Sequence, residues 1–179
     1  MNNTYYLVRH GESKFNLEKR HQGWMNGNPL TLSGKRQATH AQKYLKDFPI
    51  DITISSPLLR AKQTARVIFP RQDIPLKTSK YLLDYRRSKK QEGLTSDQYQ
   101  DLPEYELWKS QSQKDPDFAL LDGESKRSFN QRISKFLNRC EKVFDQKHIL
   151  IITHIDVIEE IIYKITNLRS EKTVFIIVL

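Results

Sequence analysis

The chain has 179 residues, a net charge of +9 and a mean hydropathy of -0.67, which suit one domain with a single core. Its lone cysteine, Cys140, excludes an internal disulfide, and its apolar tracts are too short to span a bilayer. We therefore expect one cytoplasmic domain over residues 1–179, with a basic surface that favours anionic partners.

Strands and helices alternate along the first half of the chain. The apolar run Tyr5–Val8 predicts a strand, and the glycine-containing stretch from His21 to Leu32 predicts a loop. Ser33 can cap the helix that follows and runs through Leu45. Ile52–Ser55 predicts a second strand.

Ser56-Pro57 follows that strand, and the pair is typical of a helix start, with an N-cap serine and a proline at the first helical position. The helix is expected from about Leu58 to Phe69. In the second half, either Ser125 or Ser128 opens an amphipathic helix whose apolar residues recur every three or four positions.

The end of the chain continues the alternation. His148–Thr153 is an apolar strand, Val157–Ile165 has a helical pattern, and Thr173–Leu179 predicts the last strand. Alternating strands and helices indicate a three-layer α/β/α sandwich with a mainly parallel sheet. The polar segment 85–117 interrupts this rhythm, and we interpret it as a cap inserted over the strand ends; a surface excursion held by its aromatic side chains is the alternative.

Polar groups follow three of the predicted strands. Arg9 and His10 follow the first strand, Arg60 lies just after the second, and His154 follows the strand His148–Thr153. Ligands bind at the carboxyl ends of parallel strands, so we expect these side chains to form one cationic pocket. Such a pocket suits a phosphoryl group, which needs donors on its oxygens and an in-line nucleophile.

Enzymes that transfer phosphoryl groups by other mechanisms have other sequence motifs. The chain has no G-x-x-x-x-G-K-[ST] loop, no Cys/His cluster with zinc spacing and no acidic cluster typical of a magnesium site. We therefore expect catalysis with no metal and no cofactor, with arginines stabilising the charge.

Four motifs, in order, resemble those of the histidine phosphatase superfamily, the phosphoglycerate mutase-like family. They are Arg9-His10-Gly11-Glu12-Ser13 with Asn16 and Gly23-Trp24; Ser55-Ser56-Pro57-Leu58 with Arg60-Ala61 and Gln63-Thr64-Ala65; Gly123-Glu124-Ser125 with Arg132; and Thr153-His154.

The resemblance implies a role for each matching residue. His10 would be the nucleophile that becomes phosphohistidine, while Arg9, Arg60 and His154 would hold the phosphoryl oxygens. Nearby positive charge disfavours protonation of His10 and keeps its lone pair available. A second set is expected to bind substrate: the Asn16 amide as a donor, the Gly23 loop beside the pocket, and Ile155, which stands where the family usually has glycine.

The family's proton donor, usually a glutamate, has no unambiguous match. Counting back from Glu92-Gly93 without a gap places Tyr85 at that position, and a shift of one residue places Asp84 there. A carboxylic acid can protonate a leaving alkoxide and then activate water, so we predict Asp84, with Glu92 in reserve.

The predicted function is hydrolysis of a phosphomonoester, a phosphorylated small molecule, through His10. A phosphoglycerate-type mutase is the first alternative, and a phosphate-binding relative with weakened catalysis is the second. Nucleic-acid binding is disfavoured because no long run of Lys and Arg is present. The sequence does not determine the oligomeric state.

Overall fold

The computed structural model describes residues 3–70, 74–167 and 174–177. The described strands are β1 (Thr4–Arg9), β2 (Ile52–Ser55), β3 (Leu76–Thr78), β4 (His148–Thr153) and β5 (Val174–Ile177). The described α-helices are α1 (Lys14–Leu17), α2 (Leu32–Leu45), α3 (Leu59–Ile68), α4 (Ser96–Gln100), α5 (Pro103–Gln111), α6 (Lys126–Val143) and α7 (Ile155–Asn167). Within the described part of the chain, no helix has the length and apolar character needed to cross a membrane.

The strands form one sheet in the order β3-β2-β4-β1-β5, and every pair is parallel. Successive side chains of β1 point to opposite faces of this sheet. Tyr5 and Leu7 belong to the core packed against α6 and α7, whereas Tyr6 and Val8 belong to the core packed against α2 and α3. The predicted three-layer fold with a parallel sheet is therefore confirmed.

Two predicted helix starts are wrong. Helix α2 begins at Leu32, because the hydroxyl of Thr31 accepts the N–H of Gly34 at 2.9 Å, and Ser33 lies inside the helix. Helix α3 has Leu58 at its N-cap and no side-chain cap. The hydroxyl of Ser56 accepts the N–H of Leu58 at 3.4 Å and lies 2.9 Å from Nε2 of His154.

The other boundaries agree more closely. Ser125 is the N-cap of α6, as one of the two predictions held, and it accepts the N–H of Ser128 at 3.1 Å. The last predicted strand corresponds to β5, while Thr173, Val178 and Leu179 lie outside the described residues. Strand β3 was not predicted, because its side chains are all exposed and provide no apolar pattern.

The segment 85–117 contributes no strand. It contains a 3₁₀ turn at Lys89–Gln91 followed by α4 and α5. Its aromatic rings pack on one another, with centroids 5.4 Å apart for Tyr99 and Tyr105 and 6.5 Å apart for Tyr105 and Trp108.

The turn after β1 contacts the first turn of α2 without intervening side chains. A Cβ atom added to Gly11 would lie 2.4 Å from the carbonyl oxygen of Gly34. A Cβ atom added to Gly34 would lie 2.0 Å from the carbonyl oxygen of Glu12. The two glycines therefore allow the backbone that carries His10 to pack directly against the helix.

We expect Gly34→Ala to destabilise the protein by about 1–3 kcal/mol, because two backbone segments must separate to admit one methyl group. This outcome opposes helix propensity, which favours alanine over glycine by up to about 1 kcal/mol. Urea unfolding measures the change. Gly27→Ala is the matched control, since a Cβ atom there meets nothing within 4 Å. If the two variants are equally stable, the close backbone contact is not needed for folding.

Candidate active site

The structure brings the predicted residues together at one edge of the sheet. His10 follows β1, Arg60 lies in the first turn of α3 after β2, and His154 follows β4. All three are buried, with at most 3% of their surface exposed. The rings of His10 and His154 have centroids 5.2 Å apart.

Hydrogen bonds to the ring fix the tautomer of His10. Its Nδ1 lies 2.8 Å from the carbonyl oxygen of Gly11, and a carbonyl only accepts, so Nδ1 carries the proton. Burial, followed by the charges of Arg60 and Arg9, lowers the pKa of His10 to about 3. The ring is therefore neutral near pH 7, with its lone pair at Nε2.

Arg60 is fully buried and holds several parts of the site in place. Its guanidinium donates to the carbonyl oxygens of Gly23 and Met25 at 3.0 and 3.1 Å. It also lies 3.3 Å from Nε2 of His10 and 3.1 Å from Oδ2 of Asp84. Each of its three nitrogens has at least one acceptor in the protein, so the guanidinium is held beside His10, Asp84 and His154.

His154 is buried between Arg60 and Ser56. Its Nδ1 lies 3.2 Å from Nη2 of Arg60 and its Nε2 lies 2.9 Å from Oγ of Ser56. A guanidinium cannot accept, so Nδ1 accepts and Nε2 donates to the serine. Burial, followed by the charge of Arg60, lowers the pKa of His154 well below its usual value, so this ring is also neutral.

Arg9 differs from Arg60 in having an unused donor. Its Nε is buried and has no hydrogen-bond partner among the described residues. The side chain lines a pocket of about 230 Å³ together with His10 and His154. Nε of Arg9 is therefore a donor that is available to an anion in this pocket.

Most of the predicted site residues line this pocket. Seven of the eight predicted residues line it, and Arg60 lies behind them. The seven are Arg9, His10, Asn16, Gly23, Asp84, His154 and Ile155. A larger cleft of about 600 Å³ lies between β3 and α6 and contains none of these residues.

Three residues of the pocket wall have distinct surroundings. Oδ1 of Asn16 accepts from the backbone N–H and the hydroxyl of Ser13, which leaves its NH₂ group as the donor. Gly23 has a φ of +47°, and a Cβ atom there would lie 2.4 Å from Oε1 of Glu92. Ile155 is the first residue of α7, where backbone amides have no acceptor within the helix.

The two candidate proton donors, Asp84 and Glu92, have different surroundings. Asp84 points Oδ2 toward Arg60 at 3.1 Å and His154 at 3.5 Å. Burial is the main cause that raises the pKa of Asp84 to about 6, against the lowering effect of Arg60. Glu92 also lines the pocket, but its Oε1 accepts the backbone N–H of Trp24 at 2.7 Å and lies 3.1 Å from Nε of Arg86.

Two side chains fix the backbone of Asp84. Arg132 donates to the carbonyl oxygens of Tyr81, Leu83 and Asp84 at 2.7, 2.9 and 3.3 Å, and it pairs with Glu124. The indole N–H of Trp24 donates to the carbonyl oxygen of Asp84 at 2.7 Å. The sequence motifs contained Trp24, Glu124 and Arg132 but did not indicate this task.

The parallel fold and the buried histidine and arginine side chains at its strand ends define an α/β enzyme of phosphoryl chemistry. Residues 5–174 match the model of the histidine phosphatase superfamily (branch 1), so the chain belongs to that superfamily. The expected family resemblance is thereby confirmed.

Individual relatives carry both phosphatase and mutase names. The chain is 30% identical over 148 residues to "Uncharacterized phosphatase PhoE" of Bacillus subtilis, covering 83% of this chain and 69% of the relative. It is 32% identical over 152 residues to "Probable phosphoglycerate mutase GpmB" of Cronobacter sakazakii, covering 83% and 68%. The solved alpha-ribazole phosphatase of Shigella flexneri has a TM-score of 0.77 at 27% identity, covering 88% of this chain and 77% of that one.

Proposed function

We propose that the chain hydrolyses a small phosphomonoester in two steps through a phosphohistidine on His10, without a metal ion. The observation that carries the proposal is the tautomer of His10, whose proton is held at Nδ1 by Gly11 and whose Nε2 is unprotonated beside the pocket. A phosphoryl acceptor needs such a lone pair. The phosphatase names among the relatives support the same reaction.

In the first step, Nε2 of His10 exchanges the hydrogen bond that it accepts from Nε of Arg60 for a bond to phosphorus, and the bond from phosphorus to the ester oxygen breaks. Asp84, in its protonated form, gives its proton to the leaving oxygen. The unpartnered Nε of Arg9 and the NH₂ group of Asn16 are donors available to the phosphoryl oxygens. The charges of Arg9 and Arg60 stabilise the transition state, which is the task a metal ion performs in other enzymes.

In the second step, the carboxylate of Asp84 takes a proton from water, and the water oxygen attacks phosphorus. The phosphorus–nitrogen bond breaks, its electron pair returns to Nε2, and inorganic phosphate leaves. Asp84 ends the cycle protonated, as it began.

We further propose that residues 85–117 act as a cap on the single domain, since Tyr85, Gln91 and Glu92 from this segment line the pocket.

The mutase remains the second candidate because of the similarity to the protein named as a phosphoglycerate mutase. The two activities are separated by assaying hydrolysis of a phosphomonoester panel beside bisphosphate-dependent isomerisation of phosphoglycerate, both with EDTA present. We expect hydrolysis to be faster, and EDTA to leave it unchanged. Isomerisation that outruns hydrolysis would establish the mutase, and no turnover in either assay would favour a phosphate-binding relative.

Asp84→Asn tests whether Asp84 is the proton donor, by comparing substrates whose leaving groups differ in their need for a proton. We expect a loss of about 10²–10⁴ with an alkyl phosphate, whose alkoxide must be protonated. A smaller loss is expected with p-nitrophenyl phosphate, whose leaving group is stable as an anion. Because the pKa of Asp84 is raised to about 6, the wild-type rate with the alkyl ester should fall as pH rises above that value, and the variant should lack this decline.

Glu92→Gln is the matched control for that experiment, since Glu92 is the other carboxylate considered. It removes one negative charge from the same pocket wall without touching Asp84. A leaving-group-dependent loss in Glu92→Gln, with none in Asp84→Asn, would transfer the role of proton donor to Glu92.

A further inference from the structure

Side chains from two helices hold the peptide groups on either side of Gly11. The N–H of Gly11 donates to Oγ1 of Thr64, on α3, at 3.1 Å. The next N–H along the chain, that of Glu12, donates to Oε1 of Gln37, on α2, at 2.7 Å. Between these two bonds lies the carbonyl of Gly11, whose oxygen is 2.8 Å from Nδ1 of His10.

Gln37 controls the direction of that carbonyl. A trans peptide group is planar, so the C=O of Gly11 and the N–H of Glu12 point in opposite directions. Because Gln37 holds the N–H, it also directs the C=O toward His10. The direction needs this support, since a glycine backbone has more accessible conformations than that of any other residue.

Thr64 ties the same turn to the helix that carries Arg60. Its hydroxyl is buried and gives its single proton to the carbonyl oxygen of Arg60 at 2.8 Å, so toward Gly11 it can only accept. Nε of Arg60 in turn lies 3.3 Å from Nε2 of His10. The first turns of α3 therefore reach both nitrogens of the ring, one through Gly11 and the other through Arg60.

The bond between the ring and Gly11 matters most during attack. When Nε2 of His10 forms a bond to phosphorus, the ring gains positive charge and keeps its proton on Nδ1. A hydrogen bond from a charged donor is stronger than one from a neutral donor, so the carbonyl of Gly11 stabilises the ring more as the charge develops. A carbonyl turned away from Nδ1 would lose this stabilisation and would leave the ring free to move.

Two similar side chains have no part in this arrangement. Gln63 accepts the backbone N–H of Leu30 at 2.8 Å, much as Gln37 accepts that of Glu12. Thr39 donates to the carbonyl oxygen four residues earlier, that of Lys35, at 3.0 Å, as Thr64 does within α3. These bonds lie away from Gly11, so the two residues show what the same contacts contribute to the fold alone.

We propose that Gln37 and Thr64 are positioning residues, which keep the carbonyl of Gly11 directed at Nδ1 of His10 and thereby aim Nε2 at phosphorus. Both side chains lie outside the pocket wall that the described residues form, so they act through the backbone and not by touching the substrate. This inference rests on the proposed function, because it assigns the attack to His10.

The kinetic test removes each accepting oxygen while keeping a side chain of similar size, in Gln37→Met and in Thr64→Val. We expect each change to lower kcat by about 10–100-fold, the order of effect that a misplaced reacting group produces, with KM little changed. Thr64→Ser, which keeps the hydroxyl, should recover most of the activity. If Thr64→Val does not fold, Gln37→Met and Thr64→Ser decide between the same outcomes.

Gln63→Met and Thr39→Val are the matched controls, because each removes the same kind of hydrogen bond from a place remote from Gly11. Both should leave kcat unchanged. The proposal is overturned if each control lowers kcat as much as its partner variant, or if Thr64→Ser is no more active than Thr64→Val.

A magnetic resonance measurement keeps this test independent of turnover. In wild-type protein without substrate, the Nδ1 proton of His10 should give a downfield signal that exchanges slowly with water and is missing in His10→Ala. Gln37→Met and Thr64→Val should move this signal upfield and speed its exchange, whereas the two controls should not. A signal unchanged in both variants would overturn the positioning role. Absence of hydrolysis by wild-type protein, with the expected shifts intact, would refute the proposed function alone.

Discussion

His10→Ala is expected to lower phosphomonoester hydrolysis by at least about a thousandfold, because no other group can replace the attacking nitrogen. The rate with p-nitrophenyl phosphate measures this loss. Rapid alkaline quenching during turnover should trap a phosphoenzyme in the wild-type protein, since a phosphohistidine is labile in acid. The variant should form none.

The control for His10→Ala is His40→Ala, which changes an exposed histidine of α2. It should retain wild-type activity and the trapped phosphoenzyme. A phosphoenzyme that persists in His10→Ala would place the nucleophile on another residue, and His154 would be examined first because its ring centroid lies 5.2 Å from that of His10.

Arg60→Met is expected to lower both activity and stability. Removing one partner of a buried charged pair typically costs about 3–5 kcal/mol, and here Asp84 and two backbone carbonyls lose their donor. Loss of the charge beside His10 should lower kcat by roughly 10²–10³. Urea unfolding and steady-state kinetics measure the two effects.

A double variant separates the charge of Arg60 from its packing. If Asp84 is the partner left unpaired, Arg60→Met with Asp84→Asn should be more stable than the sum of the single changes by about 0.5–3 kcal/mol. Arg66→Met, on the exposed side of α3, should change stability by no more than about 0.5 kcal/mol. Additive losses would indicate that Arg60 stabilises the fold through its contacts with the two carbonyls and the two histidines, and not through Asp84.

The elements that could be predicted are those whose own residues carry a pattern, such as an apolar run. Apolar runs marked β1, β2 and β4, and the residues that follow them reached one edge because parallel strands share a direction. Strand β3 could not be found in this way, since its three exposed residues have no apolar alternation.

Contacts between distant segments explain the errors. Ser56 resembles an N-cap in every local respect, but its hydroxyl meets His154, which lies 98 residues further along the chain. Counting along the chain placed Tyr85 at the ungapped position and left Asp84 and Glu92 as the candidate proton donors. Their surroundings depend on distant residues, since Trp24 and Arg132 both donate to the backbone carbonyl of Asp84.

The hydrogen bond from Nδ1 of His10 to the carbonyl of Gly11 joins two consecutive residues. The tautomer of His10 is thus fixed by two neighbouring residues, neither of which lies in segment 85–117. Exchange of that segment should therefore leave this hydrogen bond in place. A fold with this property can acquire new substrates while keeping one reaction.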